Sequence, residues 1–173
     1  MPDLTLVLDK ETIARKVAGV ARDISRDYRE SELILIGVLK GAFVFLADLM
    51  RRLSLEHVTV DFVRLASYGA DAHSCGTVCL LNDIAIDVRN KDVLIVEDIL
   101  DTGLTVAFLK EHLLQFHPRS VKLCAFIDKE ERRQVALAPD YTCHRVDKGF
   151  LVGYGLDYAE GYRHLPEVYH LKL

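Results

Sequence analysis

The stretch Val93-Leu-Ile-Val-Glu-Asp-Ile-Leu-Asp-Thr-Gly-Leu-Thr-Val106 decides the fold, because an apolar strand runs straight into three carboxylates, a glycine and two hydroxyls. Val93 to Val96 is apolar and rich in β-branched residues, as expected of a strand covered on both faces. Glu97 and Asp98 then fall near its carboxyl end. From Thr105 onward, Val106, Leu109, Leu113 and Phe116 recur at spacings of three and four, which predicts a helix with one buried stripe. The turn between strand and helix is Ile99 to Leu104. In an open α/β sheet ligands bind outside the carboxyl ends of the strands, and a helix start offers unpaired N–H groups and partial positive charge. An anion such as phosphate is stabilised there.

Gly103 permits a tight left-handed backbone, while Thr102 and Thr105 can donate hydroxyl hydrogen bonds to phosphate oxygens. The adjacent carboxylates of Glu97 and Asp98 repel each other unless something lies between them. A sugar diol can donate two hydrogen bonds and a divalent cation supplies charge, and the pair suits either. Asp101 sits further along the loop, free to face the chemistry at a sugar's reactive carbon, and is the candidate general base.

This segment closely resembles the signature of the purine phosphoribosyltransferases, specifically the hypoxanthine-guanine branch. The resemblance implies transfer of a 5-phosphoribosyl group from phosphoribosyl pyrophosphate to N9 of a 6-oxopurine, with Mg2+ required and pyrophosphate released. It implies that Glu97 and Asp98 hold the ribose hydroxyls, and that Asp101, Thr102, Gly103, Leu104 and Thr105 bind the 5′-phosphate. Asp101 would lie near N7 of the base. Position 104, leucine here, is one where members of the family vary.

Working outward, Asp9 can cap a helix with Ile13, Val17, Val20, Ile24 and Tyr28 on its buried face. Leu33 to Leu39 predicts a second doubly covered strand, followed by Lys40-Gly41 and a helix with Phe43, Leu46, Met50 and Leu53 on one side. His57 to Ala66 alternates like a strand wet on one face, and Ser67 to Gly76 loses all periodicity and reads as a loop. Thr77–Leu81 returns as a strand, Asn82–Asp92 is a charged connection, and Val121 to Ile127 is another strand. The expected fold is α/β: a twisted, mainly parallel sheet with helices on both faces. The resemblance implies the type I phosphoribosyltransferase core, with residues 1–173 forming a single domain and a small hood built partly from about 144–173.

Four further segments extend the resemblance from about Leu33 to Arg163. Lys40 and Gly41 would meet the pyrophosphate, and the resemblance implies a cis peptide before Lys40; unaided, Lys-Gly after a strand is an ordinary turn. Ser67 and Tyr68 open the aperiodic loop, which in the family folds over the reaction centre and excludes water. Lys129 would donate to the purine O6, although by itself a lysine beside Asp128, Glu130, Glu131, Arg132 and Arg133 reads as a solvated charge. In Phe150-Leu-Val-Gly-Tyr-Gly-Leu-Asp-Tyr158 the resemblance implies that Phe150 stacks on the base and that carbonyls near Leu151 and Asp157 accept from a 2-amino group. Asp157, with Glu97 and Asp98, would serve the magnesium ion, and Arg163 would clamp pyrophosphate.

Two other classes share parts of this pattern. A receiver-type signalling domain also combines strand-end carboxylates, a threonine and a lysine, but has no use for Phe150–Asp157. A non-catalytic regulator on the same fold would bind nucleotide or RNA, and its mark would be a lost catalytic carboxylate or a basic face.

With 173 residues, half of them hydrophobic, the chain suits one domain with a substantial core. A net charge of −4 gives no basic footprint for nucleic acid or an anionic membrane. Cysteines 75, 79, 124 and 143 form no Cys-x-x-Cys pair, and Met-Pro-Asp-Leu-Thr-Leu-Val lacks the pattern of a secretory leader, so a reduced, cytoplasmic protein is expected. No apolar run approaches the roughly 20 residues needed to span a bilayer. The seven histidines show no metal-ligand spacing, so metal, if bound, comes through carboxylates and substrate oxygens. By family analogy the expected assembly is a homodimer or homotetramer.

Overall fold

The computed structural model describes residues 3–68 and 77–172. Twelve elements follow one another in these segments: β1 (Asp3–Leu8), α1 (Lys10–Asp27), β2 (Leu33–Leu39), α2 (Phe43–Met50), β3 (Val58–Tyr68), β4 (Thr77–Asn82), β5 (Asp92–Leu100), α3 (Leu104–Leu114), β6 (Ser120–Lys129), β7 (Tyr141–Val146), β8 (Leu151–Val152) and β9 (Val168–Lys172). The larger sheet has the order β4-β3-β2-β5-β6-β7, parallel throughout except for the antiparallel edge strand β4. A smaller antiparallel sheet has the order β1-β9-β8.

Side chains alternate across each central strand, and both faces are covered as the apolar runs predict. Leu33 and Leu35 of β2 join Leu94 and Val96 of β5 in a core with α1 and α2. Ile34, Ile36 and Val38 face the other way, with Val93 and Ile95, against Val106, Leu109 and Leu113 of α3. Each fully buried leucine or isoleucine contributes about 1.5–3 kcal/mol. α1 is capped as expected: Thr12 N–H donates to Asp9 Oδ1 at 2.7 Å. The wet face of β3 has a use too, since Asp61 Oδ2 accepts from the N–H groups of Ala85 and Ile86 and ties down the charged connection.

Three local expectations are corrected. α2 buries Phe45, Leu46 and Leu49, while Phe43 and Met50 are exposed and Leu53 lies past the helix end. In Phe-Val-Phe-Leu-Ala-Asp-Leu-Met almost every side is apolar, so periodicity cannot select the buried one. The α3 stripe likewise stops at Leu113, because the helix ends at Leu114 and leaves Phe116 exposed. Ser67 and Tyr68, expected in the loop Ser67–Gly76, belong to β3, paired with Val78 and Thr77; the rest of that expectation, residues 69–76, lies outside the described residues.

Strand order reverses between β2 and β5. From β2 the chain moves outward through β3 and β4, then returns to β5 on the other side and continues to β6 and β7. Loops leaving β2 and β5 therefore diverge, and the crevice at such a switch point is where open α/β sheets bind ligands.

Candidate active site

The crevice is a cleft of about 440 Å³. One wall is the turn after β2, where the Leu39–Lys40 peptide is cis, as the resemblance implied. The facing wall carries Glu97, Asp98 and the turn Asp101–Gly103, with Thr105 at the helix start. Gly103 has φ +81°, and a β-carbon there would lie 2.6 Å from Val135, so both conformation and space call for glycine. Leu104 contributes its N–H, which donates to Thr102 Oγ1 at 3.4 Å, while its side chain lines neither this cleft nor its neighbour.

Glu97 is buried, and that burial, reinforced by the negative charge of Asp98, raises its carboxyl well above the usual range. One hydrogen bond partly offsets this, since Glu97 Oε1 accepts from Asp98 N–H at 3.2 Å; Asp98 Oδ1 in turn accepts from Ile99 N–H at 2.9 Å. A cation or a pair of hydroxyl donors beside these oxygens would favour the ionised form.

A smaller compartment of about 170 Å³ adjoins the cleft, walled by Lys129, Phe150 and Leu151. Asp98, Asp101 and Asp157 line both spaces, so three carboxylates mark the junction. The solvated charge expected of an isolated Lys129 is not what folds: its side chain is 8% exposed, with Nζ 3.4 Å from Glu131 and 3.9 Å from Asp101. Asp101 Oδ2 also lies 3.6 Å from Arg132, while its Oδ1 is buried with no hydrogen-bond partner among the described residues. Phe150 is half-exposed, its ring nearly perpendicular to that of Tyr158 with centroids 5.6 Å apart.

The remaining cations are engaged by carboxylates. Lys40 Nζ lies 2.8 Å from Glu160, and that contact holds the Glu160 carboxyl below its usual range. Arg163 donates to Gly155 O and pairs with Asp157, both at 2.8 Å, and its buried Nε has no hydrogen-bond partner among the described residues. The expected metal set is not gathered at one point: among the described residues no three His, Cys, Asp or Glu side chains converge closely enough to hold an ion alone.

Sequence reading passed over Glu131, Glu160 and Arg133. Glu131 and Arg133 sit in a charged run, and beside their near neighbours each of the three has one distant partner, Gly149 for Glu131, Lys40 for Glu160 and Asp101 for Arg133, that local spacing does not signal. A larger cavity of about 780 Å³ between α1, α2 and the 154–166 segment is walled mainly by apolar groups such as Ile13, Phe43 and Leu165; Glu11 and Asp48 also line it, but none of Glu97, Asp98, Asp101 and Asp157 does, and it shares Arg163 with the cleft. Among the described residues no helix is long and apolar enough to cross a membrane.

Comparison with known proteins agrees with this geometry. A phosphoribosyl transferase domain model matches residues 4–159. The hypoxanthine-guanine phosphoribosyltransferase of Aquifex aeolicus is 45% identical, over 96% of this chain and 93% of its own. A crystal structure of a Bacillus anthracis hypoxanthine-guanine phosphoribosyltransferase superposes with a TM-score of 0.92 at 39% identity, covering 99% of this chain and 100% of that one. A Trypanosoma cruzi hypoxanthine phosphoribosyltransferase mutant in a ternary substrates complex gives 0.91 at 35% identity, covering 99% and 96%. Strand-end carboxylates at a switch point and near-complete similarity to these proteins lead to one conclusion: this chain belongs to the hypoxanthine-guanine phosphoribosyltransferase family.

Proposed function

We propose that this chain transfers the 5-phosphoribosyl group of phosphoribosyl pyrophosphate to N9 of hypoxanthine or guanine, giving IMP or GMP and pyrophosphate in purine salvage. The observation that carries this reading is the pair of compartments meeting at Asp98, Asp101 and Asp157. A sugar phosphate in the larger and a flat base in the smaller would bring the anomeric carbon and N9 together at that junction.

In this reading the N–H groups and hydroxyls of Thr102–Thr105 hold the 5′-phosphate at the start of α3, and Glu97 and Asp98 accept from the ribose hydroxyls. Lys40, Gly41 and Arg163 take the pyrophosphate, for which the lysine and arginine must leave Glu160 and Asp157. Phe150 stacks on the base beside Leu151, and carbonyls near Leu151 and Asp157 accept from a 2-amino group. Lys129 donates to O6; the 6-amino group of adenine presents donors instead and would leave a buried ammonium badly paired. Asp101, with a buried oxygen free to accept, takes or positions the N7 proton as N9 attacks the anomeric carbon.

Mg2+ fits this site: Glu97, Asp98 and Asp157 are oxygen donors, and the raised Glu97 carboxyl is a charge imbalance that a cation relieves. Bound there, it would spread the charge of the departing pyrophosphate. The described side chains supply only part of an oxygen shell, so the sugar phosphate and water complete it. The small sheet β1-β9-β8 is proposed as the hood, which recruits β1 as well as the C-terminal residues and starts after β7, since β7 belongs to the main sheet to Val146. A cytoplasmic homodimer or homotetramer goes with the reading through the family resemblance.

The test is incubation with phosphoribosyl pyrophosphate, Mg2+ and each of hypoxanthine, guanine, xanthine and adenine, with nucleotides resolved by chromatography. Product from 6-oxopurines but not adenine is expected. Sugar-phosphate binding without product from any base would turn the reading toward a non-catalytic regulator.

A further inference from the structure

We propose that Arg133 is a positioning residue that sets the relative placement of Asp101 and Lys129, and with it the register of the phosphate turn against the base compartment. This deepens the phosphoribosyl-transfer reading and rests on it. The guanidinium spans the carboxyl ends of β5 and β6. Its Nε donates to Asp101 O at 2.8 Å, and Nη2 reaches Leu100 O at 2.9 Å, Asp128 Oδ1 at 2.7 Å and Lys129 O at 3.2 Å. Nη1 donates to Leu137 O. The next residue continues the clamp, since Gln134 N–H donates to Thr102 O at 2.9 Å.

Asp101 and Lys129 are thus held by their own backbone carbonyls to one rigid planar group, and their side chains face each other 3.9 Å apart at Oδ2 and Nζ. The Arg133 side chain is 14% exposed and that of Asp128 2%, so the charge pair is anchored and not a surface ornament. Arg133 also packs under the anion turn: a β-carbon on Gly103 would lie 3.2 Å from its Cδ. A lysine at 133 would present a compact ammonium with three donors and could not serve acceptors spread over this span.

The experiment is steady-state kinetics of wild type, Arg133→Ala and Arg133→Lys, with rates expressed per active site titrated by nucleotide binding and the two substrates varied separately. The expected result is a fall in kcat of roughly 10²-fold in both variants, because misplacement by about 1 Å costs that much. KM for phosphoribosyl pyrophosphate should rise about tenfold while KM for hypoxanthine stays within about threefold. Millimolar ethylguanidinium should restore part of the Arg133→Ala rate. If the alanine variant is insoluble, Arg133→Lys alone decides. A loss confined to the titrated active fraction or the melting temperature, with kcat and both KM values within about twofold of wild type, overturns the inference while leaving the transfer reading intact. Full activity in Arg133→Lys does the same. An inactive wild-type protein overturns the transfer reading and this inference with it.

Discussion

A β-carbon placed on Gly41 would lie 1.6 Å from Oδ2 of Asp98, so the turn leaving β2 closes against the end of β5 only because residue 41 has no side chain. A third layer sits on top: a β-carbon on Gly155 would meet Gly41 O at 2.3 Å, and Gly155 has φ +98°. The turn leaving β2 is thereby packed against the Asp98 carboxylate on one side and the Gly155 backbone on the other, and Lys40, Asp98 and Asp157 line one cleft. Gly41→Ala must push Asp98 or the turn aside. It is expected to cost about 1–3 kcal/mol of stability, the usual range for overpacking, and to raise KM for phosphoribosyl pyrophosphate at least about tenfold. Urea unfolding and initial-rate kinetics check both; an unchanged KM would mean that the contact does not shape the sugar-phosphate site.

The buried Glu97 gives the protein a characteristic pH dependence. Its carboxyl is raised in the folded state by burial and by Asp98, so the native protein holds a proton that the unfolded chain, with an ordinary glutamate near 4.3, has lost. Stability therefore declines as pH rises from about 4.3 to the raised folded value, and the full loss persists above it. Glu97→Gln removes this dependence. Ligand-free melting curves from pH 4 to 9 should show the variant flatter across that window and more stable than wild type at its upper end. Parallel curves would show that Glu97 titrates normally.

Lys129 carries base selection. Lys129→Met removes the donor to O6, and a hydrogen bond involving a charged group is worth about 1.5–3 kcal/mol, so kcat/KM for hypoxanthine should fall about 10- to 100-fold. Phosphoribosyl pyrophosphate binding, measured calorimetrically, should change little. A variant that still discriminates 6-oxopurines from adenine as wild type does would place base selection elsewhere.

Glu160 competes for the pyrophosphate cations. It lies 2.8 Å from Lys40 and 3.6 Å from Arg163, yet it is largely exposed, so its hold is modest. Glu160→Gln is expected to tighten pyrophosphate product inhibition about two- to fivefold, in keeping with a solvent-screened ion pair. Weaker inhibition by pyrophosphate in the variant would show that Glu160 aids binding.

Much of this site is legible from the chain because its features are local. The run Val93–Val96, the carboxylates just after it and the glycine before an amphipathic stripe all lie within 14 consecutive residues; strand and helix form there, but β5 runs on to Leu100 and α3 starts at Leu104, so the turn is Asp101–Gly103 and shorter than the expected Ile99–Leu104. What local pattern does not carry is pairing at a distance. β1 is held by β9 some 165 positions away, and Ser67 and Tyr68 extend β3 because β4 returns to pair with them. Arg133 looks like one more charge in Lys-Glu-Glu-Arg-Arg, and it becomes distinctive only when the ends of β5 and β6, with Asp101 and Leu137 beyond them, bring four carbonyls and a carboxylate around it. The buried side of α2 was hidden for the opposite reason, since apolar residues on nearly every side leave no periodicity to read.

The junction of the two compartments is where bond making is placed, and Asp101→Asn tests that most directly. The amide keeps the size of the side chain and loses the proton acceptor. With phosphoribosyl pyrophosphate affinity measured by calorimetry beside turnover of hypoxanthine, kcat should fall about 10²- to 10⁴-fold while sugar-phosphate binding stays within about threefold. Turnover equal to wild type would contradict the assignment of Asp101 as the base and move the chemistry away from this junction.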